Sequence, residues 1–131
     1  MIVLDTDVLI EIFDKHSEKG EQVFKMILDR GDSIATTAIN LHEVIYGLEK
    51  YAKQVSDILQ LPTLSYTKDD SRLSVKLEIS VEKSGKPVRR TDTMIAAIAI
   101  RNDADLLTFD SKHFSPMKPL GLKLLQPNPA R

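Results

Sequence analysis

Short apolar runs alternate along this chain with longer segments in which apolar residues recur at helical spacing. The short runs predict four strands, at residues 2–4, 32–37, 62–67 and 105–109, and residues 121–125 can add a fifth. The longer segments predict helices at residues 7–13, 17–30, 38–51, 69–84 and 91–102; residues 53–61 either extend the third helix or form another. Because strands alternate with helices, we predict an α/β fold with a mainly parallel sheet of four to five strands and helices on both faces.

The ends of the predicted helices coincide with capping signals. We expect Asp7 to cap the first helix, Gly31 to end the second and Thr91 to cap the last. The last helix contains the segment MIAAIAI, which is apolar on all sides, and such a helix is buried. Its alanines allow neighbouring elements to approach closely.

Length and composition are those of a single domain. We take the 131 residues as one domain, residues 1–131, with a frayed tail at about 126–131. No apolar run approaches the roughly 18 residues of a membrane span, and the N-terminus lacks the basic start of a secretion signal. The absence of cysteine excludes disulfide bonds and thiolate metal sites and is typical of the cytoplasm, where we expect the protein. A net charge of −1 means that any contact with nucleic acid needs a local basic patch.

Acidic residues follow the predicted strands. Asp5 and Asp7 come after the first strand, Glu43 lies one turn into the helix after the second, and Asp110 follows the fourth. Asp92 begins the buried helix that leads into that fourth strand. Ligands of such sheets bind beyond the carboxyl ends of the strands, so these acids are expected near one edge. Oxygen-only ligands suit Mg²⁺ or Mn²⁺, and such a cation can activate water and clamp the oxygens of a phosphate.

Each acid also has a purely structural interpretation. Asp7 is most simply an N-cap, which leaves Asp5 without a capping role and favours a functional one. Asp92 could merely complement the helix dipole, although a partly buried carboxylate usually needs a full counter-charge. Helical periodicity does not decide whether Glu43 faces solvent or a functional site. Asp110, taken alone, is typical of a turn. The isolated histidines His42 and His113 suggest no role.

Basic residues crowd the loop before Asp92. Lys86, Arg89 and Arg90 either form a solvated loop or contact the phosphates of a nucleic acid, and the sequence favours neither.

Four segments resemble the PIN-domain nucleases, most closely the VapC-type toxins of toxin–antitoxin pairs. They are IVLDTDVLIEIF, NLHEVIYGLEK, GKPVRRTDTMIAAIAI and DLLTFDSKHF, and the resemblance extends over nearly the whole chain. It implies a single PIN-like domain in which Asp5, Glu43, Asp92 and Asp110 hold Mg²⁺ or Mn²⁺ for RNA cleavage. It also implies a homodimer silenced by a VapB-like antitoxin. The family varies at the position of Asp7, which again suggests a cap, and Phe109 is more apolar than the family pattern.

Two other protein classes share the opening motif. The haloacid-dehalogenase phosphatases also place Asp-x-Asp after a strand, and in that interpretation Asp5 is a nucleophile and Asp7 an acid/base. They need a paired-acid motif after a later strand, whereas LLTFDSKHF supplies one acid there. A receiver-type phospho-acceptor, which is not an enzyme, would use Lys118 or Lys123 and leaves the Asp92 helix unexplained. We therefore expect a metal-dependent endoribonuclease, the toxin of a two-gene pair, that cleaves RNA with a metal-activated water.

Overall fold

Five parallel strands form one sheet in the computed structural model, which describes residues 1–127. The strands are β1 (Ile2–Leu4), β2 (Ile34–Thr37), β3 (Thr63–Leu64), β4 (Asp105–Leu107) and β5 (Lys123–Leu125). Their order is β3-β2-β1-β4-β5, and each adjacent pair is parallel. The α/β fold with a parallel sheet is confirmed. β1 lies at the centre because its three residues are apolar and buried, as expected for a strand covered on both faces.

Six α-helices connect or flank these strands. They are α1 (Thr6–Leu9), α2 (Glu18–Arg30), α3 (Ala38–Lys50), α4 (Lys68–Lys83), α5 (Arg90–Arg101) and α6 (Ser111–Phe114) within residues 1–127. A π-helical segment, Ile10–Asp14, continues α1, and 3₁₀ turns cover Ile58–Gln60 and Ser115–Leu120. The segment at residues 53–61 is therefore neither a continuation of α3 nor a full helix. The short helix α6 and the turn after it were not predicted, since neither is long enough to show periodicity.

Two apolar cores cover the two faces of the sheet. Val3 and Leu106 pack with residues of α4 and α5 on one face. Ile2 and Leu4 pack with residues of α1, α2 and α3 on the other. Successive side chains of a strand point to opposite faces, so three apolar residues in β1 serve both cores. The prediction of helices on both faces is confirmed.

Local chemistry fixes most of the helix ends. The hydroxyl of Ser17 accepts from the Gly20 N–H at the start of α2, and Gly31 ends that helix with a left-handed φ of 72°. Thr67 and Asp70 form a reciprocal capping box at the start of α4. The prediction that Thr91 caps the last helix is wrong, because α5 begins one residue earlier and Arg89 occupies the N-cap position.

The contact between α2 and the π-helical segment requires glycine. A Cβ atom on Gly20 would lie 2.4 Å from the carbonyl oxygen of Glu11. The backbone of α2 therefore packs directly on the segment that follows α1, and this contact supports the chain that leads away from Asp5 and Asp7.

The described part of the chain ends shortly after β5 and contains no helix suited to spanning a membrane. Gln126 and Pro127 lie beyond β5, and the rest of the predicted tail lies outside the described residues. Within residues 1–127, every helix is too short or too polar to span a bilayer.

Candidate active site

Four acidic residues from four parts of the chain line one cavity of ≈ 270 Å³. They are Asp5 after β1, Glu43 on α3, Asp92 on α5 and Asp110 after β4. β1 and β4 are neighbours, and the Asp5 N–H donates to the Leu107 carbonyl at 3.0 Å, so the carboxyl ends of both strands open into this cavity. The structure thus brings together the four acids that the resemblance implied.

Asp5 is held by hydrogen bonds on both of its carboxylate oxygens. Asn40 Nδ2 donates to Oδ1 at 2.9 Å, and the Thr108 hydroxyl donates to Oδ2 at 2.7 Å. The side chain is buried, and the residue is only 7% exposed. Burial, followed by repulsion from Asp7, raises the pKa of Asp5 to about 6, and its hydrogen bonds only partly offset this. Asp5 is therefore fixed in position and costly to keep ionised.

Asp7 does not cap the first helix. Asp5 occupies the N-cap position of α1, and neither carboxylate makes a side-chain capping bond there. The Asp7 carboxylate instead accepts from the Phe109 N–H at 3.1 Å and lies 3.3 Å from the Thr108 hydroxyl. Burial raises the pKa of Asp7 despite these contacts. Asp7 therefore fastens the turn after β4, and it also lines the cavity.

Glu43 is linked to Asp5 through two polar side chains. The Thr6 hydroxyl donates to Glu43 Oε1 at 2.5 Å. Asn40 Nδ2 lies 2.9 Å from Thr6 Oγ1 and equally close to Asp5, while the Thr37 hydroxyl donates to Asn40 Oδ1 at 2.7 Å. This chain of hydrogen bonds fixes the relative positions of two acids on different elements.

Asp92 is paired with a guanidinium group. Its side chain is 1% exposed, and Arg89 donates to it twice, from Nε at 3.2 Å and from Nη2 at 3.1 Å. The full counter-charge expected for a buried carboxylate is thus present. It comes from the residue three positions before Asp92.

Asp110 is partly exposed, unlike the buried Asp5 and Asp92. Its side chain is 42% exposed and contacts His113 Nδ1 one turn along α6. Its backbone N–H donates to Thr108 Oγ1 at 3.0 Å. His113, to which the sequence assigned no role, lies beside one of the predicted site residues.

Comparison with known proteins agrees with this geometry. The family model of the PIN domain matches residues 2–117. The chain belongs to the PIN-domain family. Ribonuclease VapC5 of Mycobacterium tuberculosis is 29% identical over 117 residues, which is 82% of each protein. Ribonuclease VapC2 of Rickettsia felis is 24% identical over 119 residues, 86% of this chain and 88% of the relative.

A solved structure shows the same PIN fold. The crystal structure of VapBC2 from Rickettsia felis, bound to a DNA fragment from the promoter, superimposes with a TM-score of 0.80. The matched chain is 25% identical, and the match covers 96% of this chain and 98% of that one. The resemblance to VapC-type PIN domains is therefore confirmed.

The acids of this PIN domain offer the type of ligand atom that a hard divalent cation prefers, but their side chains are not arranged as a complete coordination site. All four offer carboxylate oxygens, the donors that Mg²⁺ and Mn²⁺ prefer. Yet in the described part of the chain no three metal-binding side chains are grouped closely enough to hold an ion as they stand. Arg89 lines the same cavity and donates a hydrogen bond to Asp92. A shared cation would therefore need rotation of some of these side chains.

The three basic residues of the loop lie in different surroundings. Arg89 lines the cavity of the acids. Arg90 is paired with Glu78 of α4 on the surface, with Nη2 at 3.0 Å from Oε2. Lys86 borders a separate cavity beside α4. Of the predicted substrate-binding residues, Arg89 is thus the one that faces the acids.

Two polar residues that bond Asp5 escaped sequence analysis. Asn40 and Thr108 are fully buried and bond Asp5 from two sides. Asn40 lies three positions before Glu43 and hence on the same side of α3, a spacing that could have indicated it. Thr108 directly follows β4, where polar residues of parallel sheets tend to face ligands.

The cavity does not have the features of the alternative classes. A receiver domain needs a lysine near its acids, yet among the described residues lining this cavity Arg89 is the only cation. Lys123 is bonded to Asp103 at 2.7 Å. The phosphatase interpretation leaves unexplained why Glu43 and Asp92 converge on Asp5.

Proposed function

We propose that this PIN domain is a metal-dependent endoribonuclease and the toxin of a toxin–antitoxin pair. The observation that carries this proposal is the convergence of Asp5, Glu43, Asp92 and Asp110 on one cavity. The relatives named as ribonucleases support RNA as the substrate.

The side chains of the site fall into metal ligands and the residues that hold those ligands in place. The four acids would hold the Mg²⁺ or Mn²⁺ ion, which when bound would supply Lewis acidity to activate water and to neutralise charge on the phosphate. Asn40 and Thr108 keep the carboxylate of Asp5 in place, and Thr6 does the same for Glu43.

The basic side chains assist in holding the substrate. Arg89 stands at the cavity and contacts RNA phosphate there. Lys86, in the loop before Arg89, and Arg90, the first residue of α5, add electrostatic attraction for the RNA backbone.

Cleavage of a labelled single-stranded RNA in the presence of Mg²⁺ or Mn²⁺ tests the activity. We expect cleavage that stops on addition of EDTA. Glu43→Gln should lower the rate of RNA cleavage by about tenfold to hundredfold, the usual effect of disturbing the surroundings of a bound metal. Glu49→Gln, an exposed acid on the same helix, is the matched control and should leave cleavage unchanged. Equal cleavage by the two variants would contradict the proposed site.

A phosphomonoester distinguishes this function from that of a phosphatase. We expect no turnover of p-nitrophenyl phosphate and no phosphate trapped on Asp5. Detection of an aspartyl-phosphate at Asp5 by mass spectrometry would replace the nuclease proposal by the phosphatase one.

The proposed partner is a VapB-like antitoxin. The superimposed VapBC2 structure supports this partner, since its chain matches the present one over nearly all of its length. We expect the product of a short neighbouring reading frame to co-purify with this protein and to suppress its RNA cleavage. Active enzyme in a stable complex with that product would contradict the assignment.

A homodimer is also proposed. On α2, Leu28 is 63% exposed and Phe24 is 39% exposed, and Leu59 is exposed as well. Ile58, next to Leu59 in the chain, packs inside the chain's own core. Light scattering at micromolar concentration should give twice the monomer mass, and a lower mass in Leu28→Glu would locate the contact.

A further inference from the structure

The contact between Arg89 and Asp92 joins a buried carboxylate to an exposed guanidinium. Asp92 is 1% exposed, whereas the Arg89 side chain is 69% exposed. Two hydrogen bonds, at 3.1 and 3.2 Å, engage both carboxylate oxygens of Asp92. Each oxygen that Asp92 could offer to a metal ion therefore already accepts a hydrogen bond from this guanidinium.

Arg89 also experiences the other acids of the cavity. Its hydrogen bonds with Asp92 raise the pKa of the guanidinium most, and the charges of Glu43 and Asp5 raise it further. Arg89 is therefore the positive charge that partly neutralises the acidic cavity in the absence of metal. Because most of its side chain is already in water, the released guanidinium is readily hydrated.

We infer that Arg89 and the divalent cation exchange on Asp92. In the metal-free protein Arg89 neutralises Asp92; when the cation binds, the guanidinium leaves and stands at the mouth of the cavity. There its planar fork suits an entering RNA phosphate. Arg89 is thus a positioning residue that sets the cation affinity of the site. This inference rests on the proposed function, because it requires that Asp92 bind the cation.

The neighbouring Arg90 provides a matched control. It carries the same charge one position along the chain, but it is bonded to Glu78 and is not among the residues lining the acidic cavity. Arg89→Gln and Arg90→Gln change the net charge equally, so a difference between them reports the contact with Asp92 and not the general electrostatic field.

Calorimetric titration with Mn²⁺, without RNA, tests the exchange. We expect Arg89→Gln to bind Mn²⁺ about fivefold more tightly than Arg90→Gln, the gain from removing one largely exposed competing ion pair. Arg89→Lys, which retains the charge but loses the bidentate fork, should fall between Arg89→Gln and the unaltered protein. Equal or weaker binding by Arg89→Gln would overturn the inference.

A spectroscopic measurement observes the release itself. In ¹⁵N NMR spectra, the Arg89 Nε–Hε signal is identified by its loss in Arg89→Gln. We expect Mg²⁺ to move this signal toward the position of solvated arginines, and an unmoved signal at saturating Mg²⁺ would overturn the exchange. If neither the unaltered protein nor any variant bound Mn²⁺, the proposed metal site and this inference would both be wrong. If the two glutamine variants bound Mn²⁺ equally, only the inference would be wrong.

Discussion

The hydroxyl group of Thr108 donates a hydrogen bond to Asp5 across 2.7 Å, although the two residues lie 103 positions apart. The same oxygen accepts from the Asp110 N–H at 3.0 Å. One side chain at the end of β4 therefore fixes an acid of the neighbouring strand β1 and the turn that presents Asp110. This link therefore sets the relative positions of Asp5 and the turn at Asp110.

Thr108→Val should impair both stability and cleavage. Valine preserves the shape but leaves a buried carboxylate oxygen and a backbone N–H without their partner, so we expect a loss of about 1–3 kcal/mol in the free energy of unfolding. RNA cleavage should fall by about tenfold or more, because Asp5 is no longer held. Urea denaturation and cleavage assays measure the two effects.

Thr63→Val is the control for that substitution. The Thr63 hydroxyl donates to the Leu61 carbonyl at 3.0 Å, and Thr63 is exposed. Its replacement should change stability by no more than about 0.5 kcal/mol. Equal effects of the two valine substitutions would mean that the Thr108–Asp5 hydrogen bond contributes neither to stability nor to cleavage.

Gly20→Ala should destabilise the protein although alanine is the better helix former. A Cβ at position 20 would lie 2.4 Å from a backbone oxygen, so the packed segments must move apart, at a cost of about 1–3 kcal/mol. Gly47 is also helical but has no atom within 4 Å of an added Cβ. Gly47→Ala should therefore stabilise by roughly 0.5–1 kcal/mol. Thermal melting of both variants checks the opposite signs.

Sequence patterns predicted what depends on near neighbours along the chain. The end of α2 at Gly31 and the buried character of α5 follow from residues within a few positions of one another, and the structure confirms both. The role of Asp7 could not be predicted in this way, because its partner is the N–H of Phe109, which lies 102 positions away. The same limit applies to Thr108. By contrast, Arg89 and Asp92 are three positions apart, so their pairing was accessible to sequence reasoning and was missed.

The ionisation of Asp5 should make the metal-free fold less stable as the pH rises. The pKa of Asp5 is raised from 3.8 to about 6, so the folded state binds a proton more tightly than the unfolded state. The resulting penalty is absent below about pH 4, grows between pH 4 and 6, and then amounts to about 2–3 kcal/mol.

Comparison with Asp5→Asn isolates this contribution. In EDTA, Asp5→Asn should be more stable than the unaltered protein above pH 6, and the two should converge as the pH falls toward 4. Urea denaturation at a series of pH values measures the difference. Asp29→Asn, at an exposed acid on α2, controls for the loss of one negative charge. A constant difference across this pH range would show that Asp5 is not the group responsible.

Addition of Mn²⁺ should distinguish a metal site from a set of structural acids. A ligand that binds only the folded state stabilises it, by about 2.7 kcal/mol at a hundredfold excess over the dissociation constant. We therefore expect Mn²⁺ to raise the melting temperature of the unaltered protein and to do much less for Asp92→Asn. Without metal, Asp92→Asn should differ from the unaltered protein by no more than about 1 kcal/mol, because the largely exposed Arg89 that it releases can be hydrated. If Asp92 served only to bind Arg89, Mn²⁺ would shift both melting curves by the same amount or leave both unchanged. Paired melting curves with and without Mn²⁺ decide between these outcomes, and Glu49→Gln, which should show the full shift, confirms that the effect is specific to the cavity.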